Sequence, residues 1–217
     1  MSDAIVYIVD DNASACRAVY RRMHAAGLDA MPFTSAQAFL DHHRADRPGC
    51  LILDLRMPGL SGLDVQTRLG EVQETLPIVF VTGHGNVPTS VRAMKGGAVD
   101  FLQKPFDDDE LLAAVQRALA VSRQRRADRA ARAEIARRIR TLTPRERQVL
   151  ELVVKGLLNK QIAGDLGAAE KTIKIHRGRV MQKMQANSVA DLVHMAERVN
   201  MATGSDPQRS PDPTTKA

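Results

Sequence analysis

The sequence predicts a chain in two parts: an α/β half built on a doubly wound parallel sheet, and a smaller all-α half, joined by a helical segment. Three observations predict this. Residues 5–9, 50–53, 78–81 and 99–102 are short apolar runs rich in Val, Ile and Leu, separated by helical stretches, the pattern of strands buried on both faces. Residues 121–140 are Arg- and Ala-rich and contain neither Gly nor Pro, so nothing in them breaks a helix. From Leu142 onward the pattern changes to short capped helices divided by Gly-containing turns. A length of 217 residues suits two modest domains. With no Trp, two Tyr and five Phe, both cores must be aliphatic.

Taken in order, the first four runs share one property: each stops at a polar residue. Ile5-Val6-Tyr7-Ile8-Val9 ends at Asp10-Asp11, Cys50-Leu51-Ile52-Leu53 at Asp54, Ile78-Val79-Phe80-Val81 at Thr82, and Val99-Asp100-Phe101-Leu102 just before Lys104-Pro105-Phe106. Open parallel sheets bind ligands outside the carboxyl ends of their strands, so three carboxylates, a hydroxyl and an ammonium are expected at one edge. Three neighbouring carboxylates are tolerable at neutral pH only around a cation. An all-oxygen donor set suits Mg2+, which keeps several waters and leaves an open face. Lys104 and Thr82 could then engage an anionic ligand there, and a phosphoryl group fits best. His84 has no partner at ligand spacing and reads as a loop residue.

Further along, Asp107, Asp108 and Asp109 suit the positive end of a helix starting near Asp108. Leu111, Leu112, Val115 and Leu119 give that helix an apolar stripe, extended by Ile135 and Ile139. The 121–140 stretch reads as a solvated helical linker, the alternative being a helix that supports dimerisation or touches DNA phosphates. Thr143-Pro144-Arg145-Glu146 has the form of a capping box with Pro at the first helical position. A short helix around Ile162, Ala163 and Leu166 closes at Gly167, and a basic helix follows from Lys171, with Ile173, His176, Val180 and Met184 facing inward. A last helix carries Val189, Leu192, Val193 and Ala196. A short helix, a turn and a basic helix form the helix-turn-helix pattern, whose second helix enters the major groove.

The wording of these motifs resembles two-component response regulators of the FixJ/NarL type. Val9-Asp10-Asp11, Leu53-Asp54-Leu55-Arg56-Met57-Pro58, Val81-Thr82-Gly83-His84-Gly85 and Asp100-Phe101-Leu102-Gln103-Lys104-Pro105-Phe106 are similar to the CheY-like receiver domain. The resemblance implies a flavodoxin-like sheet of five strands in the order 2-1-3-4-5. It implies that Asp54 is the phosphoacceptor, that Asp10, Asp11, Asp54 and the backbone carbonyl of Arg56 hold Mg2+, and that Thr82 and Lys104 engage the phosphoryl group. Phe101 would be the aromatic that swings inward when Thr82 moves, and the Lys104–Pro105 bond would be cis. The face carrying Val87, Val91 and Met94, on a fourth helix over residues 87–95, would form a homodimer on phosphorylation.

Leu142-Thr143-Pro144-Arg145-Glu146, Asn159-Lys160-Gln161-Ile162-Ala163 and Lys171-Thr172-Ile173-Lys174-Ile175-His176 resemble the LuxR-type four-helix DNA-binding domain. The resemblance places Lys174, Ile175 and Gly178 toward the groove, and Lys160, Lys171, Thr172, Arg177 and Arg179 against phosphates. Two departures stand out: Gly178 offers no side chain at a common readout position, and Ala169 replaces the usual Ser cap of the recognition helix.

The charge distribution agrees. Residues 1–120 hold 11 Lys and Arg against 15 Asp and Glu, residues 121–140 hold 8 against 2, and residues 141–200 hold 10 against 6. A basic half paired with an acidic half points to a polyanion partner for the former. No apolar run approaches the length of a membrane span, and the acidic start running straight into a strand argues against a signal peptide. Cys16 and Cys50 read as reduced packing residues, and the expected compartment is the cytoplasm. The expected organisation is a receiver over 1–120, a linker over 121–140, a DNA-binding domain over 141–200 and a disordered tail over 201–217. The function implied is a phosphorylation-switched transcriptional regulator. Its partners would be a sensor histidine kinase, double-stranded promoter DNA and a second copy of itself, with RNA polymerase a further candidate. It would not be an enzyme beyond its own Mg-dependent phosphorylation and dephosphorylation. The competing readings are a constitutive DNA-binding protein with a receiver used only for dimerisation, and a small phosphatase.

Overall fold

The computed structural model describes residues 4–43, 47–71, 76–83 and 87–199. The chain divides into two compact units between Asp128 and Arg129. His84, Asn200 and the 201–217 tail, for which a loop role, a domain end and disorder were expected, lie outside the described residues.

The first unit alternates strands and helices: β1 (Ile5–Val9), α1 (Ala13–Ala25), β2 (Asp29–Phe33), α2 (Ala36–His42), β3 (Gly49–Asp54), α3 (Gly62–Glu71), β4 (Ile78–Thr82), α4 (Val87–Lys95), β5 (Asp100–Gln103) and the start of α5 (Asp108–Arg140). All five strands are parallel, in the order β2-β1-β3-β4-β5. The strands match the apolar runs closely, because β1, β3 and β4 are buried along their whole length. One layer of the core joins Val6, Ile8, Ile52 and Val79 to α1 and α5 through Val19, Met23, Leu111 and Val115. The other joins Tyr7, Leu51, Leu53 and Phe80 to α2 and α3 through Phe39, Val65 and Leu69.

β2 had no apolar run to announce it. Its sequence is Asp-Ala-Met-Pro-Phe and it lies at the sheet edge, half exposed, where Pro32 is tolerated because an edge strand need not use every donor. At the opposite end of the sheet from Asp54, the first residue of β3 is fixed from α5: Gly49 N donates to the buried Ser122 Oγ at 3.1 Å.

α5 is a single helix of 33 residues whose first turn holds Asp108, Asp109 and Glu110 and whose last turn holds Arg137, Arg138 and Arg140, so both ends complement the helix dipole. In the second unit, its residues Ile135 and Ile139 join α6 (Pro144–Val154), α7 (Asn159–Asp165), α8 (Glu170–Met184) and α9 (Val189–Arg198) around Val149, Leu150, Ile162, Ile173, Val180 and Leu192. The capping box at α6 forms as expected: Glu146 N donates to Thr143 Oγ1 at 3.3 Å, and Thr143 N donates to Glu146 Oε2 at 2.9 Å. Glu146 is also buried against Lys183 of α8, at 2.6 Å. Helical spacing turns only Ile173, His176, Val180 and Met184 of this helix inward and gives Lys183 no such role. It is instead half-buried, and also donates to the Thr141 carbonyl at 3.1 Å. Among the described residues, no helix is long and apolar enough to cross a membrane.

Candidate functional site

The ends of the strands place the polar residues of the first unit. Asp10 follows β1 and Asp54 ends β3, and both are buried, at 5% and 6% exposure. Lys104, just past β5, reaches both: its Nζ lies 2.5 Å from Asp10 Oδ2 and 3.0 Å from Asp54 Oδ1. Its own backbone is tied to the end of β4, where Lys104 N donates to the Thr82 carbonyl at 2.8 Å. Thr82 itself is buried. The Lys104–Pro105 bond is cis.

Around this triad, backbone groups orient the carboxylates. Asn12 N donates to Asp10 Oδ1 at 2.9 Å, and Arg56 N donates to Asp54 Oδ2 at 2.7 Å. Asp11 lies beside them, exposed to solvent. Burial pushes the Asp54 carboxyl above its ordinary range, an effect that the hydrogen bond from Lys104 opposes without cancelling. Burial also pulls the Lys104 ammonium down, but its hydrogen bonds to Asp10 and Asp54 outweigh that and raise it. Two buried acids thus share one cation, and the pocket can draw a further cation to the acids and an anion to Lys104. Among the described residues, no three His, Cys, Asp or Glu side chains form a ready-made metal cage. Asp10 and Asp54, with Asp11 at the rim, still provide the hard oxygen donors that Mg2+ prefers.

Three further residues support the pocket, of which the sequence marks only Cys16, and that as a packing residue. Asn12 caps α1, its side chain accepting from Ser14 N and Ala15 N at 2.9 and 3.2 Å; an Asn before a helical stretch was a readable signal. Cys16 Sγ lies 3.2 Å from the Asp10 carbonyl and 3.3 Å from that of Phe33, bracing the end of β1. Gly62 opens α3, and a Cβ there would come within 2.5 Å of the Asp54 carbonyl and 2.9 Å of Phe80. Only glycine lets α3 sit so close to the acid-bearing strand. Phe101 is half-buried, with its ring centroid 6.3 Å from that of Phe80. Val87, Val91 and Met94 of α4 are exposed, at 75%, 46% and 46%.

In the second unit, Lys160, Lys171, Thr172, Lys174, Ile175, Gly178 and Arg179 are all exposed on α7 and α8. Arg177 differs. It is half-buried, and donates to Asn159 Oδ1 at 2.9 Å, fastening α8 to the start of α7. His176 is half-buried as well, with a buried Nδ1 that has no hydrogen-bond partner among the described residues. Ala169 sits at the cap of α8 and supplies no side-chain hydrogen bond.

Comparison with known proteins follows the same division. Residues 6–116 match the response regulator receiver domain, and residues 140–196 match the bacterial regulatory proteins of the luxR family. Nodulation protein W of Bradyrhizobium diazoefficiens is 49% identical over 199 residues, covering 92% of this chain and 88% of that protein. Transcriptional regulatory protein FixJ of the same organism is 43% identical over 196 residues, covering 90% and 96%. The solved structure of response regulator StyR superposes with a TM-score of 0.79 at 44% identity, covering 91% of this chain and all of the other. Two domain families in this order, on this sheet topology and with relatives matched along nearly their full length, make the chain a member of the two-component response regulators that couple a receiver to a LuxR-type DNA-binding domain and regulate transcription.

Proposed function

We propose that Asp54 is the phosphoacceptor of a switch that controls promoter binding. The carrying observation is the placement of Lys104 across Asp10 and Asp54, whose carboxylates the Asn12 and Arg56 amides orient. In the transfer, an Asp54 carboxylate oxygen forms a bond to phosphorus as the P–N bond to the histidine of a sensor kinase breaks. Lys104 balances the incoming charge, and the Arg56 amide holds the carboxylate in place. Mg2+ held by Asp10, Asp11, Asp54 and the Arg56 carbonyl would supply further neutralisation of the transferring group. Phosphorylation adds nearly two negative charges and strong acceptor oxygens. Thr82 then turns its hydroxyl to them, and Phe101 moves into the space left behind.

That repacking alters the surface formed by α4 and β5. Val87, Val91 and Met94, apolar and exposed, form the face on which two copies pair. Lys174, Ile175 and Gly178 enter the major groove, while Lys160, Lys171, Thr172 and Arg179 contact phosphates, with Arg177 joining them from its bond to Asn159. The working division is a receiver over 1–120, a linker over 121–140 and a DNA-binding domain over 141–200. The protein acts in the cytoplasm, with RNA polymerase its partner at the promoter, and does no chemistry beyond modifying and demodifying itself.

The test is intact-protein mass with Mg2+ and acetyl phosphate, run alongside light scattering. The wild type is expected to gain one phosphoryl group and to double its mass in solution, and Asp54→Asn to do neither. A phosphoryl group on the Asp54→Asn variant would place the acceptor elsewhere. Addition without a change in mass would remove α4 as a switch-dependent dimer face.

A further inference from the structure

Glycine in the interior of a helix weakens folding by roughly fivefold in the equilibrium relative to alanine. Some glycines are explained within the folded chain, by packing that leaves no room for a Cβ, as at Gly62, or by positive φ. Gly178, in the middle of α8, meets neither condition: a Cβ built on it finds nothing within 4 Å among the described residues, and its φ is not among the positive values. Gly70 of α3 and Gly164 of α7 are equally open, so what sets Gly178 apart is the face on which it sits.

Its neighbours narrow the explanation. Residues three, four and seven apart share a helix face, which groups Lys171, Lys174, Ile175, Gly178 and Gln182. All five are exposed. Ile175 is 50% exposed, a large apolar side chain on a face otherwise polar and basic. Gly178 is therefore a gap one side chain wide on a cationic helix, with the apolar Ile175 and the ammonium-bearing Lys174 as its nearest walls. Among the base edges in the major groove, the apolar feature is the C5-methyl of thymine.

We propose that the gap at Gly178 receives a thymine methyl group, with Ile175 packing against it, so that these two residues select thymine over cytosine at one operator position. The proposal rests on the DNA-binding reading given above. Lys171 and Lys174 bring α8 down onto the duplex. The absent side chain at position 178 allows the close approach, and the methyl fills the space a Cβ would take.

The test uses the full-length protein and a duplex enriched by the wild type from a random-sequence pool. Each thymine is replaced in turn by deoxyuridine, which removes only the methyl. One replacement per half-site is expected to weaken wild-type binding about fourfold, the effect of burying a single methyl-sized group. Gly178→Ala should melt at a higher temperature than the wild type, bind the thymine duplex more weakly, and recover to within about twofold of wild type on the deoxyuridine duplex, since the alanine methyl then occupies the vacated space. Gly70→Ala, at an equally open helical position in the first unit, should raise stability without changing binding. Three results would overturn the proposal: Gly178→Ala binding the thymine duplex as well as wild type does, a loss of stability in that variant, or no deoxyuridine position that matters. Failure of the wild type to enrich any duplex would overturn the DNA-binding reading itself, a different outcome from enrichment with no methyl dependence.

Discussion

Asp54 carries a conflict that can be measured. Its burial disfavours the anion that the proposed phosphoryl transfer needs, and Lys104 only partly relieves this. A carboxyl raised in the folded state costs stability as pH climbs from its ordinary value of 3.8 through the raised one, because the unfolded chain releases its proton first. Asp54→Asn removes that cost and leaves Lys104 paired with Asp10. In metal-free buffer at neutral pH the variant should therefore be more stable than wild type, by on the order of 1 kcal/mol. The gap should close at pH values well below 3.8, where both states of the wild type are protonated. Urea titrations of both proteins across that range check it, and a variant less stable at neutral pH would mean the Asp54–Lys104 pair is a net support. Lys104 contributes with the opposite sense: its raised ammonium stabilises the fold below 10.5, and that support is lost as pH rises through the folded value.

The caps decide how well the helices of the second unit hold. α8 starts at Ala169 with no side chain to receive its first amide donors, whereas α6 has a full capping box and α9 has Ser188, whose Oγ accepts from Asp191 N at 3.1 Å. Ala169→Ser should add about 1 kcal/mol to the stability of this unit, read as a higher denaturation midpoint by circular dichroism. Glu146 does two things, capping α6 and accepting from Lys183 of α8, and Lys183 holds its carboxyl below the ordinary range. A lowered acid stabilises above its ordinary value of 4.5, and loses that contribution as pH falls through the folded value. Glu146→Gln should cost about 1–3 kcal/mol at neutral pH, and the difference should shrink in acid. The α6 cap was legible because Thr-Pro-Arg-Glu is a local pattern. The Lys183 contact was not, because 37 residues separate the partners and helical spacing alone gave Lys183 no inward direction. The same contrast runs through the sheet. β1, β3 and β4 are buried on both faces and spell it in continuous apolar runs, while β2, half exposed at the edge, carries no such run and was implied only by the resemblance. Asp10, Asp54, Thr82 and Lys104 were legible as polar residues at strand ends. Cys16 was legible as a packing residue, but its contact with the Asp10 carbonyl, and the role of Gly62, were not, because they lie in distances to the β1 and β3 backbone that no local pattern encodes.

Across the whole molecule, charge is divided by function. Residues 1–120 carry four more acids than bases, and residues 121–140 carry six more bases than acids. DNA affinity should therefore fall steeply with salt, and Lys160→Ala, which removes one proposed phosphate contact, should reduce the slope of log K against log salt by about 1 without altering sequence preference. Binding isotherms at several salt concentrations check this, and an unchanged slope would take Lys160 off the phosphate backbone. The sheet edge has a consequence of another kind. Parallel sheets invite any extended segment to dock along an open side, and such growth would compete with the proposed pairing of two copies through α4. Pro32 denies a newcomer one amide along β2, while the other flank ends in a strand of only four residues. Growth by strand addition is discouraged at both sides, so under the proposed switch self-association is left to helical faces whose contacts a single covalent mark would make and unmake.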